Sequence, residues 1–202
     1  GQDVSNIWGT YAQRFKADGT KDGSEFRVNS VGQHRARPIV AALDAGKFVV
    51  LWEMNDGSDD GIYGQRYAAS GGTEGSAFRI NTYTSGQQIS PSIAHLGSGK
   101  FVVAWESWQQ DGQYYGIYAQ RYKADGTKDS TEFRVNTVTA ENQREPSVAH
   151  VGSGKFVVTW YSYNQDATST NGIYAQRYKA DGTKEGSEFQ VNTYTTHNQD
   201  YP

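Results

Sequence analysis

The sequence predicts an all-β protein, a β-propeller-like repeat of four-stranded antiparallel blades with about 54 residues per repeat. The first observation is a repeated stretch: GIYAQRYKADG at 116–126 returns at 172–182 and, in altered form, at 9–19 and 61–71. Successive copies are 52, 55 and 56 residues apart. The second observation is the composition, because 14 Tyr, 8 Phe, 5 Trp and 23 Gly in 202 residues favour short strands and many turns.

Each complete repeat contains four strand-like segments joined by short polar turns. In the best-defined copy, the second segment is apolar on both faces and the fourth alternates polar and apolar residues, as buried and half-exposed strands do. The four segments are 92–96, 100–106, 116–123 and 132–136. Four consecutive antiparallel strands are typical of a propeller blade. A β-prism or trefoil-like arrangement of three units is the main rival prediction.

The repeat divides the chain unevenly. We predict a single repeat domain over residues 1–202, with an outer half blade at 1–37 and blades at 38–90, 91–145 and 146–202. A half blade exposes an unpaired strand edge, which natural sheets avoid. We therefore expect either a segment of a longer repeat array or copies that pair with each other.

Composition excludes several classes of function. The net charge is −3 and the 19 Lys and Arg residues form no basic patch, so nucleic acid is not a predicted partner. There is no cysteine, which excludes disulfide scaffolds and thiol chemistry. The longest apolar runs, such as 39–43 and 48–52, have the length of strands, so no membrane-spanning helix is predicted.

Three motifs carry a family resemblance. G-I-Y-A-Q-R-[FY]-x-A-D-G, E-F-x-V-N-T and F-V-V-x-W together cover essentially the whole chain. They resemble repeats of large secreted bacterial proteins that often also carry hemolysin-type calcium-binding or adhesin modules. The resemblance implies a non-catalytic, extracellular surface or adhesion module. It carries over no set of binding residues.

The most faithfully repeated residues have a structural interpretation. An arginine recurs in the third strand of each unit, where the neighbouring positions are apolar, and a buried arginine must be paired. These are Arg14, Arg66, Arg121 and Arg177. We predict that they join neighbouring blades, with Glu25, Glu132 and Glu188 on the following strand as partners. The second copy has Ala77 there.

Aromatic residues in and beside the variable loop between the second and third strands predict a carbohydrate site. Aromatic faces stack on sugar rings, and nearby amides and carboxylates fix the hydroxyl groups. The predicted ligand-binding residues are Trp8, Trp105, Trp108, Gln110, Asp111, Tyr115, Tyr161 and Tyr163. For Trp105, with Trp52 and Trp160, core packing between blades is the competing interpretation. For the loop residues the alternative is plain solvation of a long loop.

The acidic loop at 55–61 offers a second kind of site. Asp56, Asp59 and Asp60 place three carboxylates within five residues beside glycines, and calcium prefers such oxygen-rich loops. The spacing differs from that of an EF-hand, and a solvated turn is the alternative. We predict that the protein requires no cofactor, with Ca²⁺ as the candidate ion for this loop.

The sequence contains no familiar catalytic arrangement, which predicts that the chain is not an enzyme. His34, Arg35 and Arg37 break the repeat, but no acid–base or nucleophile arrangement accompanies them. Two functions remain. The first is a secreted, lectin-like adhesion module with repeated weak sites for glycans or cell-surface polysaccharide. The second is a structural repeat that self-associates through its incomplete blade, with calcium as a stabilising ion.

Overall fold

The computed structural model describes residues 9–29, 37–166 and 170–202. Within them, fourteen strands form one two-stranded and three four-stranded antiparallel sheets. This confirms the predicted fold class, a β-propeller-like array of four-stranded blades. No helix in the described part of the chain is long and apolar enough to cross a membrane.

The half blade is the two-stranded sheet, in which β1 (Tyr11–Ala12) pairs with β2 (Phe26–Arg27). The first blade pairs its four strands in chain order. They are β3 (Ile39–Ala42), β4 (Phe48–Asn55), β5 (Asp60–Tyr67) and β6 (Thr73–Arg79), with a 3-10 helix at Asp44–Gly46.

The second and third blades repeat this pairing order. The second contains β7 (Gln88–Gly97), β8 (Lys100–Trp108), β9 (Tyr115–Tyr122) and β10 (Phe133–Arg134). The third contains β11 (Gln143–His150), β12 (Phe156–Tyr163), β13 (Asn171–Tyr178) and β14 (Phe189–Gln190). First strands of neighbouring blades contact each other, since β7 contacts both β3 and β11.

The first strand of a complete blade begins earlier than the apolar pattern predicts. β7 starts at Gln88 and is interrupted by a bulge between Ile89 and Ser92. At this bulge Ser90 has a positive φ of 53°, and Glu145 repeats it in β11 with the same angle. The bulge turns the backbone N–H of each of these residues toward the preceding blade.

The core consists of clusters that lie between neighbouring blades. The third strand of the second blade, β9, therefore has one face in each of two clusters. Ile117 and Ala119 of β9 pack with the third blade, whereas Tyr118 and Tyr122 pack with the first. Alternation along a strand predicts this division. Trp105 and Trp160 are completely buried in these two interfaces.

Each blade is closed by the same polar contact. Asn81 accepts a hydrogen bond from the Ile62 N–H at 2.9 Å and donates to Gln88 Oε1 at 2.8 Å, so it joins the first blade to the start of the second. Asn136 repeats both contacts, with Ile117 and Gln143. Because Asn81 and Asn136 are buried, these bonds satisfy groups that would be costly to leave unpaired.

The repeated arginine joins blades, as predicted, but its acidic partner is a different residue. Arg121 Nη2 lies 2.6 Å from Asp129 Oδ2, and Arg66 Nη2 lies 2.7 Å from Glu74 Oε2. The predicted partner Glu132 instead accepts hydrogen bonds from the Thr82 N–H and from Gln110 Nε2, both at 2.6 Å. Glu188 likewise binds Thr137 and Gln165. Glu25 is not the ion-pair partner of Arg14, which pairs with Asp22.

Candidate functional site

The candidate site lies at the end of the blades where second strands finish and third strands begin. Trp108 is the last residue of β8 and Tyr115 the first residue of β9, and the two are paired across the hairpin. The linker between the first two blades runs beside them, since the Trp108 N–H donates to the Gln87 carbonyl at 2.8 Å. The centre of the site is therefore built from one hairpin of the second blade and the linker that precedes this blade.

Tyr115 is at the centre of the site. Its ring packs edge-on against Trp108, with centroids 4.8 Å apart, and the Arg144 guanidinium carbon lies 4.6 Å from its centroid. Its hydroxyl donates to Gln87 Oε1 at 2.5 Å. Both aromatic residues are half-buried. These contacts from three directions fix the orientation of the tyrosine ring.

A cavity of about 300 Å³ opens beside this tyrosine, and we call it the Tyr115 pocket. Four residues line it: Asp59, Gln87, Trp108 and Tyr115. Gln87 Nε2 lies 3.4 Å from Asp59 Oδ1, which connects the acidic loop of the first blade to the aromatic pair of the second. The pocket thus combines an aromatic wall with an amide, a carboxylate and a phenol.

Arg144 is held in place by Glu106, which is completely buried at the end of β8. Arg144 Nε donates to Glu106 Oε2 and the Glu145 N–H donates to Glu106 Oε1, each at 2.9 Å. Burial raises the pKa of the Glu106 carboxyl, and the bonds from Glu145 and Arg144 oppose that rise. Burial also raises the pKa of Tyr161, which is paired with Arg144 across the sheet.

The structure brings together three of the predicted carbohydrate residues. Trp108 and Tyr115 line the pocket, and Tyr161 lies beside Arg144. Tyr163 is at the end of β12, in the repeat position of Trp108 but in the third blade. Trp105 is completely buried in the core, so its ring is not available to a ligand. Trp8 lies outside the described residues.

Gln110 and Asp111 belong to the repeated framework instead of the pocket. Gln110 donates to Glu132, and Gln165 makes the equivalent bond to Glu188 at 2.7 Å. The Asp111 carboxylate lies against Gly116, where a Cβ atom would be only 2.6 Å from Oδ2. Asp166 has the same position beside Gly172. Both residues therefore shape the hairpin.

The three predicted metal ligands point in different directions. Asp56 Oδ2 lies 3.6 Å from Arg79 Nη1, while Asp59 Oδ1 accepts from the Asp60 N–H at 3.0 Å and faces Gln87. Asp60 is buried at the start of β5. Across residues 9–29, 37–166 and 170–202, no group of three or more His, Cys, Asp or Glu side chains could hold a metal ion. The calcium site stays a prediction.

Sequence reasoning missed two residues of the site, Gln87 and Arg144, and assigned Asp59 to a metal. Gln87 and Arg144 could have been found in the sequence because both depart from the repeat. Ile89 occupies the position of Arg144 in the second blade, and Asn142 occupies that of Gln87 in the next linker. Trp108 and Tyr115 also break the repeat. The site therefore consists of residues that the other blades do not share.

No protein-family model matches the chain, and a comparison with curated proteins gives no match either. Solved structures share its fold. A protein of unknown function from Dyadobacter fermentans DSM 18053 superposes with a TM-score of 0.53 at 12% identity, over 85% of this chain and 49% of that one.

Two glycoside hydrolases are similar at lower TM-scores. An endo-arabinase from Bacteroides thetaiotaomicron VPI-5482 gives 0.49 at 15% identity, over 77% of this chain and 61% of that one. A family 117 glycoside hydrolase from the marine bacterium Zobellia galactanivorans gives 0.47 at 12% identity, over 92% and 62%. The chain spans about half to three fifths of the length of these structures.

These matches correct one prediction. The sequence predicts that the chain is not an enzyme, because a repeat without a familiar catalytic motif is typical of a binding or structural module. Glycoside hydrolases occur among the solved structures that it resembles, so the prediction is wrong as an exclusion. At 12–15% identity the likeness itself shows the fold alone.

Proposed function

We propose that the protein binds carbohydrate at the Tyr115 pocket, on the surface of a bacterial cell or secreted from it. One observation carries the proposal: two aromatic rings and three hydrogen-bonding groups that break the repeat line one cavity. Residues needed only to pack blades recur from blade to blade, as Gln110 and Asp111 do. A non-repeating aromatic and polar cluster needs another explanation, and ligand recognition supplies it.

The chemistry of the pocket suits a sugar. The C–H face of a pyranose packs on an aromatic ring, and its hydroxyl groups pair with amides and carboxylates. Trp108 supplies an indole beside Tyr115, while Gln87 and Asp59 supply an amide and a carboxylate. A volume of about 300 Å³ is at the small end of ligand sites and fits a terminal sugar better than a long segment of chain.

Of the three described blades, only the second carries the aromatic pair of the pocket, which changes the prediction of repeated sites. Asn55 and Asp60 occupy the positions of Trp108 and Tyr115 in the first blade, and Tyr163 and Asn171 occupy them in the third. Avidity on a crowded glycan surface would then come from several copies of the protein. A single shallow site of millimolar affinity, about −4 kcal/mol, gains roughly 10²–10⁴ when copies bind together.

A glycan array tests this proposal directly. The protein would be displayed multivalently on beads, with and without Ca²⁺, beside a Trp108→Ala variant and a matched Tyr163→Ala control at the same position of the next blade. We expect binding to a defined set of glycans, at least tenfold weaker for Trp108→Ala and unchanged for Tyr163→Ala. No binding at multivalent display, or equal loss in both variants, would exclude the pocket as the site.

A further inference from the structure

The interface between the second and third blades has a repeated polar contact. Arg121 Nη2 donates to the Ala180 carbonyl at 2.8 Å, and Nη1 donates to the Asp181 carbonyl. Arg66 makes the equivalent bond to the Asp125 carbonyl, one blade earlier. In both cases an arginine of one blade binds the Asp-Gly turn of the next blade. Only 6% of Arg121 is exposed as a result.

An aromatic contact accompanies each arginine contact. Phe133 of the second blade packs against Tyr178 of the third, with ring centroids 5.4 Å apart. Phe78 and Tyr122 repeat this between the first and second blades at 5.6 Å. The blade-to-blade interface therefore has two different sides. One side presents the arginine and a phenylalanine, and the other presents the Asp-Gly turn and an aromatic ring.

The third blade presents the arginine side with nothing covering it in the described part of the chain. Arg177, which occupies the position of Arg121, is exposed. Phe189, in the position of Phe133, is 42% exposed, and the neighbouring Val191 is 50% exposed. Arg177 lies over Phe189, with its guanidinium carbon 5.8 Å from the ring centroid, so the two are already side by side.

The half blade presents the turn side, which the described residues likewise leave uncovered. Phe15, in the position of Tyr122 and Tyr178, is 61% exposed. The turn after it is already formed, since Asp18 Oδ1 accepts from the Thr20 N–H at 2.9 Å, the bond that Asp181 makes with Thr183. No described atom lies within 4 Å of the Cβ position of Gly19.

We propose that a second copy of this chain docks head to tail through these two sides. Arg177 of one copy donates to the backbone carbonyls of the 17–18 turn of the other, and Phe189 packs against Phe15. The occupant follows from continuity with the internal interfaces, which already join an arginine to a turn twice and a phenylalanine to a tyrosine ring three times. Because the two sides differ, the contact is heterologous, and copies add in one direction.

Light scattering over a range of concentrations tests the association. We expect a mass above the 22.3 kDa of one chain that rises with concentration. Arg177→Ala should raise the dissociation constant about tenfold or more, because it removes charge-assisted hydrogen bonds. Lys100→Ala, which removes an exposed cation on the second blade, should leave it unchanged. A monomer at every concentration would overturn the proposal.

Cross-linking tests the direction of the contact, and the chain has no cysteine to interfere. Phe15→Cys and Phe189→Cys would be made separately and treated with a short bis-maleimide, alone and as an equimolar mixture. We expect covalent dimers in the mixture and none in either variant alone. Dimers in one variant alone would show a symmetric contact and overturn the proposal, as would their absence in all three samples.

Discussion

Arg121 and Arg177 are the same repeat residue in two settings. Arg121 lies between the second and third blades, bound to two carbonyls and to Asp129, whereas Arg177 is exposed on the outer face of the third blade. The local sequence is identical over 116–126 and 172–182, so the difference comes from what covers each arginine and from the acid eight residues later: Asp129 pairs with Arg121, whereas Glu185 pairs with Lys155. Blade-to-blade contact, more than local sequence, therefore decides how much each repeat residue contributes to stability.

The largest difference in the free energy of unfolding is expected when the aromatic residue of a covered interface and that of an uncovered one are each replaced. Tyr122 is 1% exposed, stacked on Phe101 at 4.8 Å and tilted against Phe78, whereas Phe15 in the same repeat position is 61% exposed. Tyr122→Ala should lower the free energy of unfolding by about 4 kcal/mol, and Phe15→Ala by less than about 1 kcal/mol. Urea unfolding at a concentration where the protein is monomeric measures both. Equal losses would contradict the comparison.

A smaller difference in the free energy of unfolding is expected between alanine substitutions in the covered and the uncovered Asp-Gly turn. Gly182 and Gly19 have φ angles of 86° and 83°, so alanine is strained at either position. A Cβ on Gly182 would also lie 2.6 Å from Arg121 Nη1, whereas Gly19 faces open space among the described residues. Gly19→Ala should cost about 1 kcal/mol and Gly182→Ala about 3 kcal/mol. Thermal unfolding of the pair gives the difference, and a Gly19→Ala cost as large as that of Gly182→Ala would argue against the arginine contact.

Substitution of Glu132 tests a weaker contact, which lies between the first and second blades. It binds the Thr82 N–H and Gln110, and Ala77 occupies its position in the first blade, so the fold tolerates alanine there. Glu132→Ala should lower the free energy of unfolding by about 1–2 kcal/mol, and Glu132→Gln by about half of that. Chemical unfolding of both variants checks the order. Equal losses for the two variants would show that the charge, and not hydrogen bonding alone, matters, because both substitutions remove the carboxylate charge.

Alkaline pH should loosen the interfaces between blades. Burial raises the pKa of Tyr118 and of Tyr174 to about 12, from 10.0 for an unperturbed tyrosine. Since the folded state holds these protons more tightly, the stabilisation is complete below pH 10 and is lost as the pH rises through about 12. Phenolate absorbance and circular dichroism, followed together, should change together in this range. Ionisation of all tyrosines near pH 10 with the fold intact would contradict the burial.

The sequence predicts the blades well because their signals are local. Strand alternation, Asp-Gly turns and the 52–56-residue spacing determine each hairpin, and even the two faces of β9 follow from alternation alone. The positive-φ bulges at Ser90 and Glu145 were not predicted, because they depend on a carboxylate of the preceding blade: Glu53 accepts from the Ser90 N–H and Glu106 from the Glu145 N–H.

The sequence alone does not predict the acidic partners of the arginines or all the residues of the pocket. For Arg14, Arg66 and Arg121 the paired acid lies eight residues later and is Asp22, Glu74 and Asp129 in turn. Glu is found at the predicted position in three of the four copies, but it is not the ion-pair partner of the arginine. In the pocket, Trp108 and Tyr115 were predicted from their loop. Gln87 and Arg144 enter from the linker and the next blade, and only the folded arrangement places them there.

The most direct test of the account is one urea titration series of Arg66→Ala, Arg121→Ala and Arg177→Ala, measured at a concentration where the protein is monomeric. We expect the first two variants to lose about 2–3 kcal/mol each, because each removes the hydrogen bonds from the arginine to the carbonyls of the next blade, and the third to lose less than about 0.5 kcal/mol. Equal losses at all three positions would show that the arginine stabilises its own blade, and would contradict the repeated blade-to-blade contact.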